Sequence, residues 1–421
     1  MRCVVVGGGL LGLTTAWFLR ENGNDVTVLE RGEGVGLGTS YANGGMLHAS
    51  QANPWNEPGI LWKALADLGK EDSALLIRPK ALSEMVPWLW SFFWNSRPRL
   101  YDANVSKNAL LANYSLDILD NYFSPLELDY CKANEGTLKI FRTESDFKKA
   151  KKAAKKCEDS GIRTEILDPH GAAKVEPALG EIVPEIVGGI FFPDDMSGDA
   201  YRFCKALAAR LVDKGVRIFF DTDVSGFAIQ NGSLDGVFAN GKKLETERCI
   251  VATGCWSRHL LSSVGIKLPV QPVKGYSVTV PMGLWKTQPR VPVIDEALHA
   301  ALCPLGDRIR VAGTAEFAGF DDSIRESRIE NLIGLLRRVY PKESSEDPGA
   351  LTVSPWAGLR PMSPDGVAIL GHTEIAGLFL NTGHGHLGWT MAPASGKLVA
   401  DLVSGRTPEL SLAAYGLDRF F

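Results

Sequence analysis

The chain has 421 residues, 45% of them hydrophobic and 22% charged, which is enough to bury a large core and to make two domains or one elaborated one. A formal net charge of −4 supplies no basic field of the kind nucleic-acid binding relies on, so nucleic acid is excluded as an expected partner. The seven cysteines, Cys3, Cys131, Cys157, Cys204, Cys249, Cys255 and Cys303, are scattered without a CxxC pair or metal-ligand spacing. They read as reduced thiols of a cytoplasmic protein with no metal site.

The first residues, MRCVVVGGGLLG, enter a strand directly, without the charged and apolar regions of a secretory signal. After the apolar run at 3–6 comes Gly7-Gly8-Gly9-Leu10-Leu11-Gly12, then LTTAWFLRENG, in which Leu13, Ala16, Trp17 and Leu19 can share a face. The order is strand, tight turn, helix. Gly7, Gly9 and Gly12 meet the GxGxxG spacing: a tight turn, a close approach of pyrophosphate to backbone, and close helix–strand packing. Gly23 ends the helix and residues 26–29 make a second strand. Glu30 then lies where a carboxylate accepts hydrogen bonds from a ribose 2′-OH, about 20 residues beyond the turn. It would repel a 2′-phosphate despite the neighbouring Arg31, so the dinucleotide is FAD or NAD.

The stretch GVGLGTSYANGGM, Gly34 to Met46, stands where a NAD enzyme would continue into a crossover helix, and it reads instead as a contact loop for a pyrophosphate and a flavin ring. Thr39 and Ser40 can donate hydroxyls, Asn43 sits between them and the glycines, and Gly44-Gly45-Met46 lets backbone pass close to a flat ring. Further on, KALSEMVPWLWSFFWNS at 80–96 is a helix apolar nearly all round. Leu82, Val86, Leu89 and Phe93 make one stripe, and Trp90 and Trp94 another; such a helix packs inward or meets a membrane surface or quinone. FKKAKKAAKKC at 147–157 is a helix with Phe147, Ala150, Ala154 and Cys157 on one side and lysines elsewhere, a solvated face that would also suit anionic lipid. Strands and helices alternate to residue 260, and short strands dominate from Pro272 to Gly313, which suits a mixed sheet over the cofactor. Near the end, NTGHGHLGWT at 381–390 is a second glycine turn before a helix, where backbone N–H groups can face an anion.

Taken together, ERGEGVGLGTSYANGGM, VATGCWS at 251–257, PVKGYS at 272–277, GLRPMSPDG at 358–366 and NTGHGHLGWT resemble the FAD-dependent D-amino-acid dehydrogenases, within the D-amino-acid oxidase, glycine oxidase and sarcosine oxidase group. The motifs run in family order over most of the chain. The resemblance implies an α/β fold with an α+β substrate domain: a Rossmann-like FAD-binding domain at 1–50, 145–260 and 350–421, interleaved with a mixed-sheet substrate-binding domain at 51–144 and 261–349. FAD is expected to be non-covalent. Val224 would offer backbone to the adenine, and Ala252, Thr253, Gly254 and Trp256 would form a second approach to the cofactor, with Gly358 beside it. His384, Gly385, His386, Leu387, Gly388, Trp389 and Thr390 would bring N–H groups to the flavin N1–C2=O edge.

The same resemblance implies a substrate site. Arg360 would clamp the substrate carboxylate, since a guanidinium matches it with two parallel hydrogen bonds, and Tyr276 would donate its hydroxyl to that carboxylate. His48 and His386 would line the pocket, His386 standing where relatives commonly carry a small hydroxyl residue. The implied reaction is oxidative deamination of a D-amino acid, small or cyclic such as D-proline, with hydride passing from Cα to flavin N5, an imino acid as product, and electrons passed to a quinone or another non-oxygen acceptor. An oligomer and a peripheral contact with the cytoplasmic face of the inner membrane are the further partners it suggests. Two alternatives stand: an oxygen-reducing oxidase of the glycine or sarcosine type, and a non-catalytic FAD-bearing subunit of an electron-transfer complex.

Overall fold

The computed structural model describes residues 1–60, 62, 75–159, 161–283, 285–344 and 352–421. The opening segment folds as its pattern requires: Arg2–Val6 is a strand, Leu10–Glu21 a helix and Asp25–Leu29 the next strand. These strands sit in a six-stranded sheet whose order is Ile369–His372, Leu378–Thr382, Arg248–Val251, Arg2–Val6, Asp25–Leu29, Arg217–Phe219. All its pairings are parallel except the one at the Ile369–His372 edge. Val4, Val5 and Val6 are all buried, as expected of a parallel strand covered on both faces.

The closing helix, Gly388–Val403, lies against the opening one. Thr14 Oγ1 donates to the Ala392 carbonyl at 2.9 Å, and a Cβ on Gly396 would come within 2.6 Å of Thr14 Oγ1. Asn381 Nδ2 donates to Thr15 Oγ1 at 2.9 Å. The two glycine turns at opposite ends of the sequence are therefore brought to the same edge of one sheet.

A second, nine-stranded sheet runs in the order Ser354–Met362, Gln271–Pro281, Arg308–Phe317, Ala300–Leu305, Val293–Asp295, Thr137–Phe141, Gly188–Phe192, Glu165–Leu167, with Leu75–Ile77 also paired to Arg308–Phe317. The expected boundaries assigned 145–260 and 350–421 to the cofactor domain, yet three strands from those spans, Glu165–Leu167, Gly188–Phe192 and Ser354–Met362, pair here. Alternation along a strand reports which residues are apolar, not which distant strand supplies the hydrogen bonds, so membership in a sheet is not written locally. The long Gln271–Pro281 strand buries Tyr276, Val278 and Val280 against Leu332, Leu336 and Val339 of the helix Glu326–Val339, and its opposite face looks toward the first sheet.

The helix Pro79–Asn95 forms as predicted, and Leu89 and Phe93 of the first expected stripe are half-buried beside a more deeply buried set. Met85, Trp88 and Phe92 are buried against Val273, Ala315, Phe317 and Met362, at i, i+3 and i+7 of the helical period. Val86, expected on the first stripe, is 59% exposed, along with Trp90 at 73% and Trp94 at 52%; the side chain of Leu82 lies outside those described. With apolar residues all round, periodicity could not rank the stripes. In the helix Glu144–Asp159, Phe147 and Ala154 are buried and Ala150 and Cys157 half-buried, with the described lysines exposed.

Candidate active site

Between the two sheets lies a cavity of about 900 Å³. One end is built by the opening turn. Gly7 has φ of +110°, and a Cβ there would fall 2.5 Å from the Ala252 carbonyl oxygen. A Cβ on Gly12 would fall 1.8 Å from the Gly7 carbonyl oxygen, so Gly12 is needed for packing the helix on the turn, and it stands behind the cavity wall. Gly7, Gly9, Leu10 and Leu11 form the wall itself. Glu30 accepts from the Gly8 N–H at 2.6 Å and the Gly32 N–H at 2.7 Å, which fixes its carboxylate at the cavity edge with lone pairs to spare for a ribose. Arg31 stacks over Trp256, 4.5 Å from the ring centre, and both line the cavity with Val224, Ala252, Thr253 and Gly254.

The small-residue loop crosses the middle. Ser40 Oγ accepts from the Leu10 N–H at 3.3 Å, leaving its own proton for a ligand. Thr39 differs from expectation: its hydroxyl donates to the Leu359 carbonyl at 2.7 Å, so its proton ties the loop to the Ser354–Met362 strand instead of facing a pyrophosphate. Asn43 Oδ1 caps the Gly45 N–H at 3.0 Å. Gly45, at φ of +75°, has Cys303 Sγ 3.0 Å from where a Cβ would lie, and Met46 packs on Cys303 and Leu305. Gly44 and Gly358 also face the cavity.

The closing turn supplies the other side. His384, Gly385, His386, Gly388 and Trp389 line the cavity. Leu387 points into the core at 1% exposure, and Thr390 stands one layer behind, its Oγ1 accepting from the His48 N–H at 3.2 Å. His384 pairs with Ser395 Oγ at 2.8 Å through Nε2, while Nδ1 is buried without a partner.

Arg360 projects into this cavity from the Ser354–Met362 strand. The space for it exists because residue 275 is glycine: a Cβ there would sit 2.2 Å from the guanidinium carbon. Nη1 donates to the Thr314 carbonyl at 3.1 Å and the group lies over the Trp55 ring at 5.1 Å. Among the described residues no carboxylate pairs with Arg360. Burial draws its pKa down to about 10, so it stays charged through neutrality. His386 stacks on the same Trp55 at 4.9 Å. Burial first, then the charges of His48 and Arg360, push His386 down to about 3, and burial pushes His48 down to about 4. Both imidazoles are therefore neutral at pH 7, and His48 Nδ1 has no partner.

Tyr276 lines the cavity, but its hydroxyl does not join this constellation. Its hydroxyl donates to Glu316 at 2.6 Å, in the layer between the sheet and the helix Glu326–Val339. Gly275 faces the cavity, so its neighbour Tyr276 must face away, because successive strand side chains alternate. Sequence reading missed three contributors. Gly275 was open to discovery as a glycine inside a strand, a usual mark of close approach. Trp55 carried no signal. Thr314, which holds the guanidinium, has φ of +60° and a buried, unpartnered Oγ1; positive φ at a β-branched residue is strain of the kind found at ligand sites, and only coordinates reveal it. Among the described residues no cluster of three metal-ligating side chains occurs, and no helix is long and apolar enough to cross a membrane.

Comparison with known proteins agrees with this geometry. The model of a family described as FAD dependent oxidoreductase matches residues 2–402. A protein named D-amino acid dehydrogenase from Rhizobium johnstonii is 39% identical over 424 residues, covering 100% of both chains. One of the same name from Vibrio atlanticus is 36% identical over 420 residues, again covering 100% of both. Among solved structures, L-proline dehydrogenase from P. horikoshii superposes with a TM-score of 0.78 at 21% identity, covering 100% of this chain and 97% of that one. Glycine oxidase from Geobacillus kaustophilus gives 0.74 at 24%, covering 99% and 98%; these two likenesses concern the fold.

Proposed function

The chain belongs to the FAD-dependent oxidoreductase family, and from that premise we propose that it is a dehydrogenase that oxidatively deaminates D-amino acids. The residues present fit FAD: glycines 7, 45 and 385 have positive φ, which lets their turns run along the cavity wall, Glu30 has lone pairs at the cavity edge for a ribose, and His384 Nδ1 is a buried polar atom still wanting a partner. Bound FAD supplies the acceptor for the hydrogen and electron pair that leave the substrate Cα.

The chain's own residues bind and orient. The Arg360 guanidinium, held by Thr314 and backed by Trp55, receives the substrate carboxylate, and its lack of a carboxylate partner among the described residues is the observation that carries this reading. A buried cation without a counter-ion is costly, and a ligand carboxylate removes that cost. The neutral imidazoles of His48 and His386 wall the site without adding charge, and His48 Nδ1 offers an acceptor to the substrate amine. Gly275 keeps the carboxylate position open. The chemistry asks no side chain to take the Cα hydrogen as a proton, so catalysis rests on positioning and exclusion of water.

Electrons then pass to a quinone or another acceptor other than oxygen. Support comes from the relatives' designation as dehydrogenases and from the outward Val86, Trp90 and Trp94 edge, which would suit a peripheral membrane contact. The test is anaerobic mixing of the purified flavoprotein with D-alanine, D-proline and their L forms. Bleaching by the D series supports the reading, and a flavin that stays yellow with every D-amino acid ends it. Stoichiometric peroxide during turnover in air, without dye reduction, would favour an oxidase instead.

A further inference from the structure

We propose that the cavity carries a second polar subsite, formed by Lys139, Glu296 and Gln51, which selects D-amino acids whose side chain ends in a neutral carboxamide. This rests on the deamination reading and adds the substrate class to it. All three residues line the cavity. Lys139 Nζ lies 2.7 Å from Glu296 Oε2 and donates to Gln51 Oε1 at 3.5 Å. Gln51 is itself fixed from behind: its Nε2 donates to Ser50 Oγ at 3.2 Å, and Ser50 Oγ donates to the buried Asp195 carboxyl at 2.5 Å.

Strand register measures the distance from this group to the carboxylate clamp. Gly313 pairs with Ala300, and Ala300 with Asp295. One residue further along, Glu296 and His299 flank the turn that joins the two shorter strands, the His299 N–H donating to the Glu296 carbonyl at 3.4 Å, and Thr314 follows Gly313 on the third. Adjacent strands lie about 4.8 Å apart, so the backbones of Gly313 and Asp295, next to Thr314 and Glu296, are roughly 10 Å apart. An extended glutamine spans about 5 Å from carboxylate carbon to amide carbon, and a hydrogen bond of about 3 Å at each end gives it a reach of about 11 Å, of the order of that backbone separation.

The chemistry at the far end selects the group. Lys139 and Glu296 offset each other, so a charged side-chain terminus would meet one attraction and one repulsion. A carboxamide presents its oxygen to the ammonium and its NH2 to the carboxylate or to Gln51, satisfying both. An apolar side chain would leave the pair without partners as water is displaced, and sites built to hydrogen-bond discriminate strongly against analogues that cannot. This departs from the expected preference for small or cyclic side chains.

The test uses the holoenzyme and a dye-coupled assay with D-glutamine, D-methionine as its near-isosteric apolar counterpart, D-glutamate and D-alanine. The expected result is a kcat/KM for D-glutamine at least tenfold above that for D-methionine, with Lys139→Met and, separately, the near-isosteric Glu296→Gln each collapsing that ratio at least tenfold, chiefly through KM. A wild-type ratio near one, a preference for D-glutamate over D-glutamine, or a ratio unmoved in both variants overturns the subsite while leaving the deamination reading intact. Failure to oxidise any of the four overturns the subsite, and the deamination reading with it where D-proline also leaves the flavin yellow.

Discussion

On one side of the Gln271–Pro281 strand, Glu316 collects the Tyr276 hydroxyl at 2.6 Å, Arg78 Nε at 2.6 Å, Arg325 Nε at 3.4 Å and Lys274 Nζ at 3.8 Å. On the other side, Arg360 stands half-buried with a carbonyl, an aromatic face and no carboxylate among the described residues. The two faces of one sheet thus treat buried charge in opposite ways. Where the chain supplies every counter-charge itself, the cluster holds structure; where it leaves a cation short of one, the proposed function assigns the missing group to the ligand. Glu316 shows the first case in its pKa: burial alone would raise it, yet hydrogen bonds from Tyr276 and Arg78 and the charges of Lys274 and Arg78 hold it below the ordinary glutamate value.

The strongest way to break this contrast is Arg360→Ala. It should lower kcat/KM for D-amino acids by about a thousandfold, roughly 4 kcal/mol, while FAD stays bound and thermal stability does not fall. Unchanged turnover would place the carboxylate elsewhere. Glu316→Gln should do the reverse, costing about 3 kcal/mol of stability in urea unfolding as buried cations lose their counter-ion, with kcat/KM moving little. A stable variant with lost activity would show that the two faces are not separate.

Tyr276→Phe sharpens the contrast further. Removal of a hydrogen bond to a charged acceptor should cost about 1.5 kcal/mol of stability and leave KM within twofold; a large rise in KM would return Tyr276 to the substrate. The mildest test concerns Asp195, a buried carboxyl that, unlike Glu316, has no cation paired with it among the described residues, and that burial raises to about 7. Between its unfolded value near 4 and about 7 the folded chain holds a proton that the unfolded chain has lost, so stability is full at low pH and falls as pH rises through that window, by up to about 1.4 kcal/mol per unit. Asp195→Asn should flatten that slope between pH 4 and 7 in a melting series, and an unchanged slope would assign it to other groups.

Much of the cofactor end was legible because its requirements are local. Gly7 and Gly12 must lack side chains, an acid must follow the second strand, and both demands fall within a single βαβ unit. Arg360 was legible by chemical type and by motif. The misplacements have one origin: facing. Tyr276 and Gly275 are adjacent letters with opposite fates, Thr39 spends its proton on a carbonyl some three hundred residues away in sequence, and the helix at 79–95 offered two equally apolar stripes. The strands at 165–167, 188–192 and 354–362 joined the larger sheet for the same reason.

What the amino-acid order determined by itself is the set of short-range necessities: the glycine turns at each end, the strand–turn–helix opening, the ribose acid, the apolar faces and the presence of an arginine suited to a carboxylate. What only the tertiary structure decided is which charges meet. The packing of the first helix on the last, the register that aligns Gly313, Ala300 and Asp295, and the pairing of Lys139 with Glu296 all lie beyond what local sequence dictates. Such contacts are fixed by closure of the whole core, in which every strand must find its hydrogen-bonding neighbour and every apolar face its cover at once.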